Sequence, residues 1–92
     1  MGRKARIRQE YLPEKLLQIR NALGLSQTEM LYQLGIEDLM GYHQISRFET
    51  GEREPPLHVL LEYARVAGVC TDVLINDELD LPAKLPGKPK HH

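Results

Sequence analysis

Residues 25–55 read Leu25-Ser26-Gln27-Thr28-Glu29-Met30-Leu31-Tyr32-Gln33-Leu34-Gly35, then Ile36-Glu37-Asp38-Leu39-Met40-Gly41, then Tyr42-His43-Gln44-Ile45-Ser46-Arg47-Phe48-Glu49-Thr50-Gly51-Glu52-Arg53-Glu54-Pro55. Two short helices joined by a connector account for this pattern. Ser26 and Glu29 have the S-x-x-E spacing of a capping box, in which each side chain satisfies a free backbone N–H of the other. A helix therefore starts at Ser26, turns Met30, Leu31 and Leu34 inward, and stops at Gly35. The next covers about Tyr42 to Thr50, with Ile45 and Phe48 as its apolar face, and stops at Gly51. Two arrangements of the connector fit. In one, Asp38 caps an earlier start of the second helix and Gly41 lies inside it, at a cost of about 1 kcal/mol relative to Ala. In the other, preferred because Gly41 suits a boundary, the turn is irregular and the helix begins at Gly41 or Tyr42.

The flanks extend this pattern. Pro13 suits the first turn of a helix, where its missing N–H costs nothing. Leu12, Leu16, Ile19 and Leu23 keep the spacing of one buried face, and Gly24 ends that helix. After Pro55-Pro56 a fourth helix runs to Ala67 with Leu57, Leu60, Leu61, Ala64 and Ala67 on one stripe, and Gly68 stops it. Thr71 then caps a short fifth helix holding Val73 and Leu74. Beyond Asn76 the chain turns acidic and then rich in proline (Pro82, Pro86, Pro89, with Gly87), which argues against regular helix. The expected organisation is an N-terminal arm over 1–10, an all-α domain of five helices over 11–78 and a flexible tail over 79–92. His91-His92 read equally as native residues or as the remnant of a purification tag.

Ninety-two residues with 41% hydrophobic content support one small helical core. No apolar run approaches the length of a membrane span, and the basic N-terminus lacks the apolar segment of a secretion signal, so a cytoplasmic chain is expected. The one cysteine, Cys70, fits a reducing compartment, forbids an internal disulfide and reads as a small buried residue beside a helix start. The net charge of −1 hides a strong segregation. Residues 1–8 hold Arg3, Lys4, Arg6 and Arg8 without an acid, whereas Asp72, Asp77, Glu78 and Asp80 crowd residues 71–80. Between them, the body of the domain is acidic on balance. Affinity for a polyanion has to come from local basic clusters.

The ordered set Gln27, Leu34-Gly35, Glu49-Thr50-Gly51, Arg53 and Pro55, followed by the leucine-and-alanine stripe and Gly68-Val69, resembles the helix-turn-helix of phage repressor and Cro-like regulators, the XRE family. The resemblance spans roughly residues 14–76. It implies a five-helix repressor-like DNA-binding domain and a sequence-specific transcription regulator, associated with the nucleoid, acting as a homodimer on half-sites one helical turn, about 34–36 Å, apart. Two departures fall together. The chain from Ile36 to Gly41 holds about four residues more than the family's usual turn, close to one helical turn of 3.6 residues. Leu31 also stands where the family favours a small residue, commonly Ala. Leu39 or Met40 could fill the space that Leu31 opens between the helices.

By this resemblance Tyr42, His43 and Arg47 fall where family members contact bases. Arg47 can bond bidentately to guanine, and Gln44 can pair with adenine or bind a phosphate. Gln27 resembles the family's phosphate-contacting glutamine at a helix N-terminus, with Ser46 and Arg53 as further phosphate contacts. Against these stand plainer readings. Arg47 can pair with Glu49 or Glu52, Tyr42 can stack under the long turn, and Glu49 reads as structural because a carboxylate facing DNA is repelled. Arg3, Lys4, Arg6 and Arg8 form a basic arm suited to a duplex or its minor groove, and equally a solubilising end. Leu79, Leu81 and Leu85, or the fifth helix, offer surfaces for a second copy, and the three leucines read equally as scattered tail residues. No cofactor, metal or small-molecule substrate is expected: His43 has no partner at metal-ligand spacing, His58 reads as a surface residue, and no nucleophile–base pair, carboxylate dyad or phosphate loop is present, so the chain does not read as an enzyme. Two other functions use the same domain: an antitoxin whose tail holds a toxin, and a protein-interaction module whose long turn no longer enters a groove.

Overall fold

The computed structural model describes residues 10–87, and these form five helices with no strand among them. The helices are α1 (Leu12–Leu23), α2 (Gln27–Leu34), α3 (Tyr42–Thr50), α4 (Leu57–Ala67) and α5 (Thr71–Ile75). The Ser26–Glu29 capping box forms in full: the Glu29 N–H donates to Ser26 Oγ at 3.0 Å and the Ser26 N–H to Glu29 Oε1 at 2.8 Å. None of the described helices is long and apolar enough to cross a membrane.

The connector adopts the irregular arrangement. Gly41 is the extended N-cap residue of α3, which begins at Tyr42. Ahead of it the Ile36 carbonyl accepts the N–H groups of Leu39 and Met40, closing a tight turn. Ile36 is buried, Met40 packs against the core and Leu39 is 64% exposed. Met40, together with the unforeseen Ile36, therefore lines this side of the core, which also encloses Leu31.

α1 packs on α3, α4 and α5, and α2 on α3 and α4. Leu16, Ile19, Met30, Ile45, Phe48, Val59, Tyr63, Ala67 and Leu74 lie wholly inside. The face that α4 presents differs from expectation. Leu60, Ala64 and Ala67 are buried, but Leu57 and Leu61 are 84% and 41% exposed. Val59 and Tyr63 take their places, because the larger Tyr63 ring turns the buried arc of the helix toward itself. Burial pushes the Tyr63 hydroxyl far above its usual pKa, and among the described residues it has no hydrogen-bond partner. A buried polar group left unpaired costs roughly 1–3 kcal/mol. Tyr63→Phe is accordingly expected to raise the unfolding free energy by about 1 kcal/mol, read as a later urea midpoint at unchanged slope. An earlier midpoint would show that the hydroxyl is satisfied in solution.

Three further expectations are corrected. Thr71 is the first residue of α5, not its cap; Cys70 is the N-cap residue, without a side-chain bond. Cys70 is also exposed, since its extended backbone sits at the surface start of that helix. The chain does not leave the domain at 79. Leu81 and Leu85 pack back against the core, and the Gly87 N–H donates to the Ala67 carbonyl at 2.9 Å. Here two backbones cross so closely that a Cβ on Gly87 would collide with the Val66 carbonyl oxygen, and one on Gly68 would stand 2.6 Å from the Gly87 nitrogen. Only glycine fits either position. Of the leucines offered as a surface for a second copy, Leu81 and Leu85 are thus engaged within the chain, while Leu79 stays 40% exposed.

Candidate nucleic-acid interface

α3 has two faces set by its 3.6-residue period. Ile45 and Phe48 point into the core. Tyr42, His43, Arg47 and Thr50 are exposed and Ser46 is half-buried, so these side chains share the outward arc. The Tyr42 and His43 rings stack at the start of the helix, with centroids 4.3 Å apart and planes inclined by 22°. Tyr42 is therefore a surface residue and does not fill the space beneath the turn. Among the described residues no hydrogen bond or ion pair engages the Arg47 guanidinium. Glu49, one of its suggested partners, is fully occupied elsewhere.

Glu49 joins three elements. Arg20 of α1 grips its carboxylate through Nε at 2.6 Å and Nη2 at 3.1 Å. The same guanidinium donates from Nη1 to the Leu25 carbonyl at 3.0 Å, ahead of α2. Gln27 Nε2 donates to Glu49 Oε1 at 3.3 Å. The side chains of Arg20 and Glu49 are only 16% and 5% exposed, so the pair is largely withdrawn from water. The bond to Glu49 raises the Arg20 pKa further above its already high value. This arrangement fixes α3 against α1 and the start of α2 and neutralises a carboxylate that would otherwise repel an anion. It also redefines Gln27. One N–H of its amide serves Glu49, which leaves a second N–H for an outside acceptor.

Arg53 lies just past α3. Its N–H donates to the Arg47 carbonyl at 3.2 Å, its Nη1 donates to Gln44 Oε1 at 2.6 Å, and its guanidinium stands 5.9 Å from the centre of the Phe48 ring. The side chain is thus held in place while remaining exposed. Gln44 is drawn toward Arg53, away from the outward arc. Reading adenine needs both its oxygen and its nitrogen, and the oxygen already serves Arg53.

Of the residues singled out from the sequence, Tyr42, His43, Ser46 and Arg47 come together on one surface. Gln27, Gln44 and Arg53 flank it with part of their bonding capacity committed. Arg3, Lys4, Arg6 and Arg8 lie outside the described residues. Arg20 was missed, because an arginine near the end of an amphipathic helix carries no mark of a partner on another helix. Among the described residues no group of three or more His, Cys, Asp or Glu side chains is placed to hold a metal ion. No protein-family model, no curated protein and no solved structure matches this chain.

Proposed function

We propose that this chain is a sequence-specific DNA-binding regulator of transcription, in which α2 and α3 form a helix-turn-helix of the phage repressor and Cro-like kind and two copies bind as a homodimer. The observation that carries the reading is the outward arc of α3. It is polar, small and basic, it holds an unengaged arginine, and the one carboxylate on that helix is tied to Arg20 behind it. The major groove is wide enough to admit an α-helix, whose first turns reach base edges. In this reading Arg47, Tyr42 and His43 meet bases, while Ser46, Arg53, Gln44 and the free N–H of Gln27 meet phosphates.

The test is selection of bound fragments from a random duplex pool at near-physiological salt. Enrichment of one palindromic or direct-repeat site supports the regulator and gives the half-site spacing. Weak, salt-sensitive binding with no enriched site would overturn it. On an enriched site, Arg47→Ala is expected to cost about 1–3 kcal/mol and to relax preference at one base pair. An equal loss on every sequence would make Arg47 a phosphate contact instead.

A second reading, a protein-interaction module, is favoured by the connector: Leu39 is exposed between two acids, Asp38 and Glu37, on one side and α3 on the other. Those acids would face a phosphate backbone poorly if the connector approached it. The same selection separates the two readings.

A further inference from the structure

Two consecutive aromatic side chains open α3, and they pack on each other. The ring centroids of Tyr42 and His43 lie 4.3 Å apart, with the planes 22° from parallel. Neighbouring residues on a helix point about 100° apart around its axis, so these rings meet only by turning toward each other. The imidazole also leans over the start of the helix: a Cβ added to Gly41 would stand 3.8 Å from His43 Nδ1. Neither ring enters the core. Tyr42 is 47% exposed and His43 is exposed beside it.

The pair is an apolar surface that is already ordered. Each ring has given up rotamer freedom to the other, so contact with the pair costs less ordering than contact with a loose side chain. Arg47 shares the same outward arc. His43 and Arg47 stand four positions apart, which makes them neighbours on one face, about 6 Å apart along the axis. Base pairs stack at about 3.4 Å. Contacts spaced in this way fall on base pairs one or two steps apart.

In the major groove all four bases present hydrogen-bonding groups, and thymine alone adds an apolar one, its C5-methyl. The Arg47 guanidinium carries donors only, in a fork that matches O6 and N7 of guanine. The ring faces and C–H edges of the stacked pair suit a methyl group. We infer that Tyr42 and His43 together read the C5-methyl of a thymine, and that each half-site carries this thymine one or two base pairs from the guanine read by Arg47. This inference rests on the DNA-binding reading above and adds the base feature that the aromatic residues recognise. A Tyr42 hydroxyl bound to a phosphate, the competing role, is blind to that methyl.

The experiment uses the full chain and a duplex carrying the site enriched by selection, with each thymine changed in turn to deoxyuridine. The change removes one methyl and keeps the base pairing. One such change is expected to weaken binding about fourfold, the worth of one buried methyl. It should lie within two base pairs of a guanine whose replacement by 7-deazaguanine, which lacks N7, also weakens binding. Tyr42→Ala is expected to bind the thymine and deoxyuridine duplexes alike. Where Tyr42→Ala fails to fold, His43→Ala breaks the stack from the other side and is read the same way. An enriched site with no thymine that close to the guanine, no deoxyuridine position that weakens binding, or a methyl effect that persists undiminished in the variant would each overturn the inference. All three leave the DNA-binding reading intact, because the natural site is still bound. Failure to enrich any site overturns that reading, and this inference with it.

Discussion

Alanine at Glu49 is expected to lower the unfolding free energy by about 3 kcal/mol, the lower end of what breaking a buried ion pair costs. The substitution removes few contacts of its own. The loss comes from Arg20, whose guanidinium stays largely buried with its main acceptor gone, and from Gln27, which loses the acceptor of its amide N–H. Small domains have only about 5–15 kcal/mol in all, so the effect should be plain in a urea titration. Arg20→Ala should destabilise by a similar amount, because it strands the carboxylate. Replacing both by apolar residues of like volume, Arg20→Met with Glu49→Leu, should recover much of the loss, since two desolvated charges are then removed together. A single-variant loss below about 1 kcal/mol would mean that the pair behaves like an exposed one. The double variant carries a second readout. Without the Arg20 fork to Glu49 and Leu25, α3 keeps its core contacts but loses the polar ties that set its angle against α2. DNA preference should then degrade even where stability returns.

On the proposed DNA-binding reading, deleting residues 2–8 is expected to have the largest effect on affinity. Each phosphate contact contributes about 0.9 to the slope of log affinity against log salt, so losing four cations lowers it by up to about 3.6. With the slope lowered that far, affinity would fall up to about 150-fold less between 50 and 200 mM salt. The thermal or urea midpoint should move little, because the core set of α1 begins at Leu12. An unchanged slope would sink the arm as a DNA contact. The bulk charge makes this a sharp test: the body of the domain is acidic on balance, and among the described residues Arg47 and Arg53 are the arginines exposed at the candidate surface.

Local chemistry was easy to read in this sequence, and long-range pairing was not. The capping box at Ser26 and the glycine stops at Gly24, Gly35, Gly51 and Gly68 mark helix ends because their physics is confined to a few residues; all four of those glycines adopt positive φ. The start of α3 at Tyr42 followed from Gly41 for the same reason. The buried face of α4 was misjudged because periodicity alone admits neighbouring arcs, and Tyr63, outside the expected stripe, proved the larger filler of the core. Composition misled at residues 79–87. Proline and glycine there suggested release from the fold, yet Gly87 is needed for a close backbone crossing and Leu81 and Leu85 pack inward. Within the candidate site, the polar arc of α3 was legible from its own spacing. The bonds that hold it were not: Arg20 and Glu49 lie 29 positions apart. Nothing local in either partner announces the other.

The crossing at Gly68 and Gly87 bears on where this domain ends as a cooperative unit. Contact between Ala67 and Gly87 closes a loop around α5, and closing a loop of this size removes chain entropy that must be offset by what the loop encloses. Here it encloses Leu74 and lays Leu81 and Leu85 over the core. Residues 79–87 therefore belong to the part that melts together with α4 and α5. A version trimmed at 78 would expose a new apolar seat where Leu81 and Leu85 had been, and would invite the association of copies there.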